Sequence, residues 1–131
     1  MDELKEWGIR YMSNRPVQKG DAVMFDIDDT LIFTDDTPNQ PIIDLVHIAK
    51  RLGYEVVIIT ARPDREEVIQ WTIEQLHGHT IDFDTIGFTS AETKTQMKQH
   101  MKNKFILSVG DLPTDLTDSE HWLNISNYSH N

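Results

Sequence analysis

Four aspartates follow two short apolar runs of the sequence, and together they could hold a divalent cation. Asp26 and Asp28 stand at the end of one run, and Asp111 and Asp115 follow another run and a glycine. Two ionised carboxylates about 4 Å apart repel by about 4 kcal/mol at an effective dielectric constant near 20. A hard cation relieves this repulsion, and Mg2+ takes one or two carboxylates together with waters and phosphate oxygens. The sequence therefore predicts a Mg2+ site.

Two further side chains would complete a pocket for a phosphoryl group. Thr60 ends a third apolar run, and Lys94 begins a predicted helix. A lysine, a hydroxyl and a metal around carboxylates stabilise the charge of a transferring phosphoryl group. Two alternatives stay open, because Thr60 could cap the next helix and Lys98 lies one turn after Lys94 on the same helix face.

Arg62 follows Thr60 and has two interpretations. It either contacts the substrate or pairs structurally with Asp64 or Glu66, and such exposed pairs contribute little to stability. Other polar groups have plainer interpretations. Asp35-Asp36 and the segment around His77 and His79 are predicted to be solvated turns, and Trp7, Trp71 and Trp122 are predicted to anchor the packing.

The elements that would position these residues alternate between strand and helix. The predicted strands are Asp21–Asp26, Tyr54–Thr60, Thr85–Phe88, Phe105–Val109 and one near Trp122–Ile125. The predicted helices are Asp2–Met12, Pro41–Leu52, one opened by Arg62-Pro63-Asp64 and one opened by a capping box of Thr93 with Gln96. This order predicts an α/β, Rossmann-like parallel sheet with helices on both faces. Ligands bind such sheets at the carboxyl ends of the strands, where the polar residues above converge.

Four motifs in chain order resemble those of haloacid dehalogenase (HAD) superfamily phosphatases. They are VMFDIDDTL at Val23–Leu31, VVIITAR at Val56–Arg62, Lys94 within TKTQMK, and GDLPTD at Gly110–Asp115. The helix–strand–TARP run, together with GDLPTDL and the late Ile125-Ser126-Asn127-Tyr128, is similar to acid-phosphatase-type members. The TARPDREEVIQW stretch is similar to the phosphatase domain of polynucleotide kinase 3′-phosphatases.

The resemblance implies roles for the site residues. Asp26 would be the nucleophile that forms an aspartyl-phosphate, and Asp28 would be the general acid and base. Thr60 and Lys94 would hold the phosphoryl group, and the substrate contact considered above for Arg62 would lie beside them. The implied metal ligands are the Asp26 carboxylate, the Asp28 main-chain carbonyl and Asp111, with Asp115 as support. The implied reaction is Mg2+-dependent phosphomonoester hydrolysis.

The spacing between the motifs leaves no room for a cap domain. Leu31–Gln40 provides only about ten residues before a core helix, and one helix and one strand lie between Thr60 and Lys94. We therefore expect a HAD-type fold with no cap domain and an open site that admits bulky phosphorylated substrates, unless a homo-oligomer supplies the missing wall. The polar, proline-bounded Leu31–Gln40 segment could form a flap over the site.

The composition narrows the function further. The chain has 131 residues, which corresponds to a single domain over 1–131, and it has no cysteine for disulfides or thiolate chemistry. Its formal charge of −10 disfavours nonspecific nucleic-acid binding, although a nucleic-acid end remains a possible substrate. No membrane span or signal-peptide core is present, so we expect a cytoplasmic protein.

Two other functions fit the same residues. One is 3′-phosphatase activity on nucleic-acid ends, which predicts rates that fall as salt rises. The other is a phosphate-binding or phospho-switch module that is phosphorylated on Asp26 without turnover. Asp28 argues against the switch, because a pure binder needs no acid or base there.

Overall fold

The computed structural model describes residues 1–131 and contains a six-stranded sheet. The strands are β1 (Asp21–Phe25), β2 (Glu55–Thr60), β3 (Thr85–Phe88), β4 (Lys104–Gly110), β5 (His121–Asn124) and β6 (Ser129–His130). Their order across the sheet is β3-β2-β1-β4-β5-β6. Pairing is parallel from β3 to β5, and only β6 is antiparallel to its neighbour.

Five α-helices connect or precede these strands. They are α1 (Asp2–Ser13), α2 (Gln40–Leu52), α3 (Glu66–Gly78), α4 (Lys94–His100) and α5 (Pro113–Leu116), with a 3-10 turn at Ala91–Thr93 before α4. Helix α2 shows how local sequence sets the bounds. Pro41 occupies its first turn, where a missing N–H costs nothing, and Gly53 ends it at a φ of 100° that disfavours other residues.

The two faces of the sheet are covered unequally. Alternate residues of β1 point to opposite faces. Val23 and Phe25 pack in a cluster of 22 buried residues with side chains of α1, α2 and α3. Ala22 and Met24 belong to a second cluster of 5 residues, against which Met97 of α4 packs. The long helices therefore lie on one face, and the short helix that begins with Lys94 lies on the other.

The predicted parallel sheet with helices on both faces is confirmed, and all five predicted strands are present. Two local predictions were wrong, and one strand, β6, had not been predicted. Helix α3 begins at Glu66 rather than at Arg62–Asp64, because residues up to Arg65 stay extended. Thr93 and Gln96 form no capping box; instead Thr93 caps the 3-10 turn together with Ser90.

The connection from β1 to α2 is short and fastened at both ends. Leu31 and Ile32 are buried, and Ile32 forms isolated bridges with Asp28 and Pro38. The Asn39 side chain donates a hydrogen bond to the carbonyl of Thr30 at 2.9 Å. Residues 33–38 form an exposed tip between these two ends. None of the helices has the length and apolar character needed to cross a membrane.

Candidate active site

The carboxyl ends of the two central strands bring the predicted aspartates together. Asp26 follows β1, and its backbone N–H donates to the carbonyl of Val109 in β4 at 3.0 Å. Asp111 follows β4 directly. The nearest carboxylate oxygens of Asp26, Asp111 and Asp115 all lie within 4.8 Å of one another. Three of the four aspartates predicted to bind metal are thus adjacent.

Lys94 lies in the middle of this group. Its ammonium donates to Asp26 Oδ1 at 2.8 Å and to Asp115 Oδ1 at 2.7 Å. Only 1% of Lys94 is exposed, and Asp26 and Asp115 are buried as well. The 3-10 turn and the start of α4 place Lys94 at the carboxyl-end rim of the sheet.

Charge and burial shift the ionisation of this group. Burial, together with the charge of Asp115, raises the pKa of Asp26 well above its usual range, even though Lys94 opposes the shift. Burial alone would lower the pKa of Lys94, but the carboxylates of Asp26 and Asp115 outweigh it and raise the pKa. A single ammonium therefore does not neutralise the buried carboxylates.

Asp115 also shapes the loop that carries Asp111. Its Oδ2 accepts the backbone N–H groups of Asp111 at 3.2 Å and Leu112 at 3.0 Å. This loop approaches Asp115 so closely that a Cβ at Gly110 would collide with the Asp115 carboxylate. Gly110 is therefore required for space rather than for backbone freedom.

Replacing Gly110 with Ala is expected to displace Asp115 from Lys94. The clash should cost about 1–3 kcal/mol of unfolding free energy, the usual range for an overpacked site. Urea unfolding of the Gly110→Ala variant would measure the loss. Gly78→Ala is the matched control, because a Cβ there meets no atom within 4 Å. An unchanged unfolding free energy in Gly110→Ala would contradict the packing described here.

Lys98, the alternative to Lys94, is buried but lies away from the carboxylates. Its ammonium donates to Ser108 Oγ at 2.9 Å and to the carbonyls of Asp115 at 2.5 Å and Thr117 at 2.7 Å. Burial lowers its pKa to about 8. All three N–H bonds of Lys98 are donated to Ser108 of β4 and to the two carbonyls that follow that strand, so Lys94 is the lysine that faces Asp26.

The Asp28 side chain turns away from the aspartate cluster and pairs with Arg62. Arg62 Nε donates to Asp28 Oδ2 at 3.1 Å, and Nη2 donates to Asp28 Oδ1 at 2.9 Å. Nη1 donates to Thr72 and Gln75 of α3 at 3.0 and 2.8 Å. Arg62 thus pairs with neither Asp64 nor Glu66, the structural partners considered from sequence.

Thr60 is fully buried at the end of β2, and its hydroxyl accepts the backbone N–H of Arg62 at 3.2 Å. The N-cap of α3 is Arg65, so Thr60 does not cap that helix. Its hydroxyl instead fixes the turn that leads from β2 to Arg62.

A cavity of about 450 Å³ opens beside Asp28, and several residues of its wall were not foreseen from sequence. Trp71 is 55% exposed, so its predicted role as a packing anchor was wrong. The Arg62 guanidinium lies 5.0 Å from the centre of the Trp71 ring. Asp36, predicted to lie in a solvated turn, lines the cavity and accepts hydrogen bonds from Gln75 and His79. The remaining wall residues are Asp29, Phe33 and Thr34.

The carboxylates fit a hard divalent cation. Asp26, Asp111 and Asp115 present oxygen ligands within reach of one ion, and Asp111 is only half-buried, which leaves a side open to water and substrate. Burial first, and then the charge of Asp115, raises the pKa of Asp26, so the charged form of this carboxylate is disfavoured. A divalent cation would supply the missing positive charge.

The sheet order and the parallel pairing define a Rossmann-like α/β fold, and the aspartates follow its two central strands. Two solved structures share this fold. A class C acid phosphatase from Bacillus anthracis matches with a TM-score of 0.66 and 15% identity, over 89% of this chain and 65% of that one. A chain of the Pnkp1/Rnl/Hen1 complex matches with a TM-score of 0.61 and 20% identity, over 72% of this chain and 40% of that one.

This chain spans only 65% and 40% of the lengths of those two proteins. The same acid phosphatase, in a structure with tungstate bound, matches with a TM-score of 0.62. No protein-family model and no curated protein sequence matches the chain.

Proposed function

We propose that this protein is a Mg2+-dependent phosphomonoester hydrolase that acts through an aspartyl-phosphate on Asp26. The observation that carries the proposal is the buried contact of Lys94 with Asp26 and Asp115, at 2.8 and 2.7 Å, beside Asp111. An ammonium group and carboxylates held at the carboxyl ends of parallel strands suit binding and transfer of a phosphoryl group. The shared fold of the class C acid phosphatase supports the same class of reaction.

The first step forms a bond between an Asp26 carboxylate oxygen and phosphorus while the ester oxygen leaves. Lys94 offsets negative charge on the transferring group, and its hydrogen bond holds Asp26 in one orientation. Asp28 gives a proton to the leaving oxygen, so an alcohol departs. In the second step Asp28 takes a proton from water as that water attacks the phosphorus, which returns Asp26 and releases phosphate.

Asp26 and Asp111 would hold the metal, with Asp115 as support and the Asp28 carbonyl as the further ligand that the family resemblance implies. When bound, Mg2+ supplies positive charge that draws phosphate oxygens to Asp26 and lowers carboxylate repulsion. Thr60 holds the turn to Arg62, and Arg62 acts as a positioning residue for Asp28 rather than as a free substrate contact.

A phosphatase screen with Mg2+ and with chelator tests the proposal. The substrates would be small phosphomonoesters, phosphopeptides and 3′- and 5′-phosphorylated oligonucleotides, with Asp26→Asn as the blank. We expect Mg2+-dependent phosphate release that the blank lacks. The absence of release from every substrate would overturn the proposal.

Mg2+ is expected to stabilise the folded protein, because it binds the assembled carboxylates and not the unfolded chain. At 100 times the dissociation constant the gain should be about 2.7 kcal/mol. Thermal unfolding with and without Mg2+ would measure it, and Asp111→Ala should abolish most of the shift. Asp82→Ala, which removes an exposed carboxylate that pairs only with Lys50, is the control. A full Mg2+ shift in Asp111→Ala would refute the ligand assignment.

The pairing of Asp28 with Arg62 also favours the second candidate, a phospho-switch. An Asp28 that stays paired with Arg62 could not activate water, so phosphorylated Asp26 would persist. Incubation with a small phosphodonor distinguishes the two functions. A short-lived phosphoryl group supports the hydrolase, whereas stoichiometric labelling without turnover supports the switch.

A further inference from the structure

The cavity beside Asp28 has an uneven distribution of charge. Its wall carries the carboxylates of Asp28, Asp29 and Asp36 and one guanidinium, that of Arg62. Arg62 has only 10% of its side chain exposed, and four of its N–H bonds are already donated to Asp28, Thr72 and Gln75. No cationic group of the wall is therefore free to bind an anion.

The cavity also exposes two aromatic rings. Phe33 and Trp71 are 37% and 55% exposed, although side chains of this size are usually buried. Arg62 lies over the Trp71 ring at 5.0 Å from its centre. An exposed ring beside the proposed proton donor can stack on a flat group of a bound ligand.

Asp29 and Asp36 occupy unusual backbone positions. Both have a positive φ, 60° and 68°, where glycine carries no steric penalty and where asparagine is tolerated about as well as aspartate. The backbone alone thus gives no reason for a carboxylate at either site. Hydrogen bonds from Gln75 and His79 lower the pKa of Asp36, so it keeps its charge at neutral pH; His79 lies outside the cavity wall.

From this wall we infer that the cavity is the leaving-group subsite of the proposed phosphatase, and that it selects a ring-bearing alcohol that is neutral or cationic. The inference rests on the proposed function and adds the substrate class. Asp28 is the residue that would protonate the leaving oxygen, and it forms part of the cavity wall. A leaving group that carries further phosphates, such as a nucleic-acid end, would meet uncompensated carboxylates there.

Three benzyl phosphates that differ only in the para substituent test the charge selection. The substituents are methyl, aminomethyl and carboxyl, and methyl phosphate serves as the substrate without a ring. We expect kcat/KM for the carboxyl compound to be about fivefold below that for the methyl compound, which corresponds to one like charge near 4 Å in water. The aminomethyl compound should be hydrolysed at least as efficiently as the methyl compound.

Variants of the wall residues test whether the cavity causes the selection for leaving-group charge. Asp29→Asn and Asp36→Asn each remove a charge, while asparagine still tolerates the positive φ at these positions. Each variant should therefore reduce the difference in kcat/KM between the carboxyl and methyl compounds. Asp82→Asn makes the same charge change at the opposite end of the sheet and should leave that difference as it is. Trp71→Leu should lower the preference for methylbenzyl phosphate over methyl phosphate by about fivefold to tenfold.

The outcomes separate this inference from the proposed function. Hydrolysis of the carboxyl compound at a rate equal to or above that of the methyl compound would overturn the inference alone. The inference would also be overturned if neither Asn variant changed the difference in kcat/KM between the carboxyl and methyl compounds. The same holds if the protein hydrolysed methyl phosphate but none of the three benzyl phosphates. No hydrolysis of any of the four esters, with phosphate release from another substrate of the screen above, would overturn the inference alone. No release from any substrate of either set in the presence of Mg2+ would overturn both.

Discussion

Asp26→Asn is expected to remain folded but to lose at least about a thousandfold in kcat. The loss is expected because no other group is placed to form the bond to phosphorus. An amide cannot act as the nucleophile, but its oxygen can still accept the hydrogen bond from Lys94. Phosphate release under saturating substrate and Mg2+ would measure the loss. Activity within tenfold of the wild type would contradict the assignment of Asp26.

The same substitution should stabilise the metal-free protein, on the order of 1 kcal/mol, as is common when a strained active-site charge is removed. The pH dependence follows from the raised pKa of Asp26. The folded protein binds a proton on the Asp26 carboxyl more tightly than the unfolded chain does. The resulting contribution to the free energy of unfolding is present at low pH and is lost as pH rises through the pKa of Asp26 in the folded state. The advantage of Asp26→Asn should therefore be largest at neutral pH and shrink on acidification.

Lys94→Met is expected to cause the largest loss of stability. It leaves Asp26 and Asp115 buried and adjacent without a counter-charge, and removing one partner of a buried ion pair costs about 3–5 kcal/mol. Urea unfolding without Mg2+ would measure the loss. Lys102→Met is the matched control, since Lys102 is exposed.

A second variant separates charge from packing. If the loss in Lys94→Met comes from unpaired carboxylates, adding Asp115→Asn should restore part of the stability, and saturating Mg2+ should do so as well. A loss that neither change relieves would mean that Lys94 acts through packing alone.

Much of this site could be predicted because its residues follow strands. A carboxylate after an apolar run must lie at a strand end, so Asp26 and Asp111 were placed by local sequence and sheet geometry. Lys94 was placed by the same reasoning, since it begins the helix after β3. Its position at the start of that helix already favoured it over Lys98, and the structure shows that the Lys94 ammonium is the one that contacts Asp26.

The contacts of Arg62 could not be predicted in the same way. Asp28 lies 34 residues away in sequence, and the length of the arginine side chain allowed several partners. The prediction for Trp71 was wrong because this residue borders the apolar face of α3, next to the buried Thr72. Helical periodicity identifies that face but does not show which residues at its edges are buried. Strand β6 has two residues, too few for any periodic pattern.

The most direct test of the central claim is to look for the phosphoryl group on Asp26. The protein would be mixed with Mg2+ and an activated phosphomonoester, quenched in acid during turnover, digested and analysed by mass spectrometry. If Asp26 is the nucleophile, the peptide that contains Asp26 gains the mass of one phosphoryl group, and the corresponding peptide of Asp26→Asn does not. Turnover without that adduct, or with the adduct on another residue, would contradict this role of Asp26.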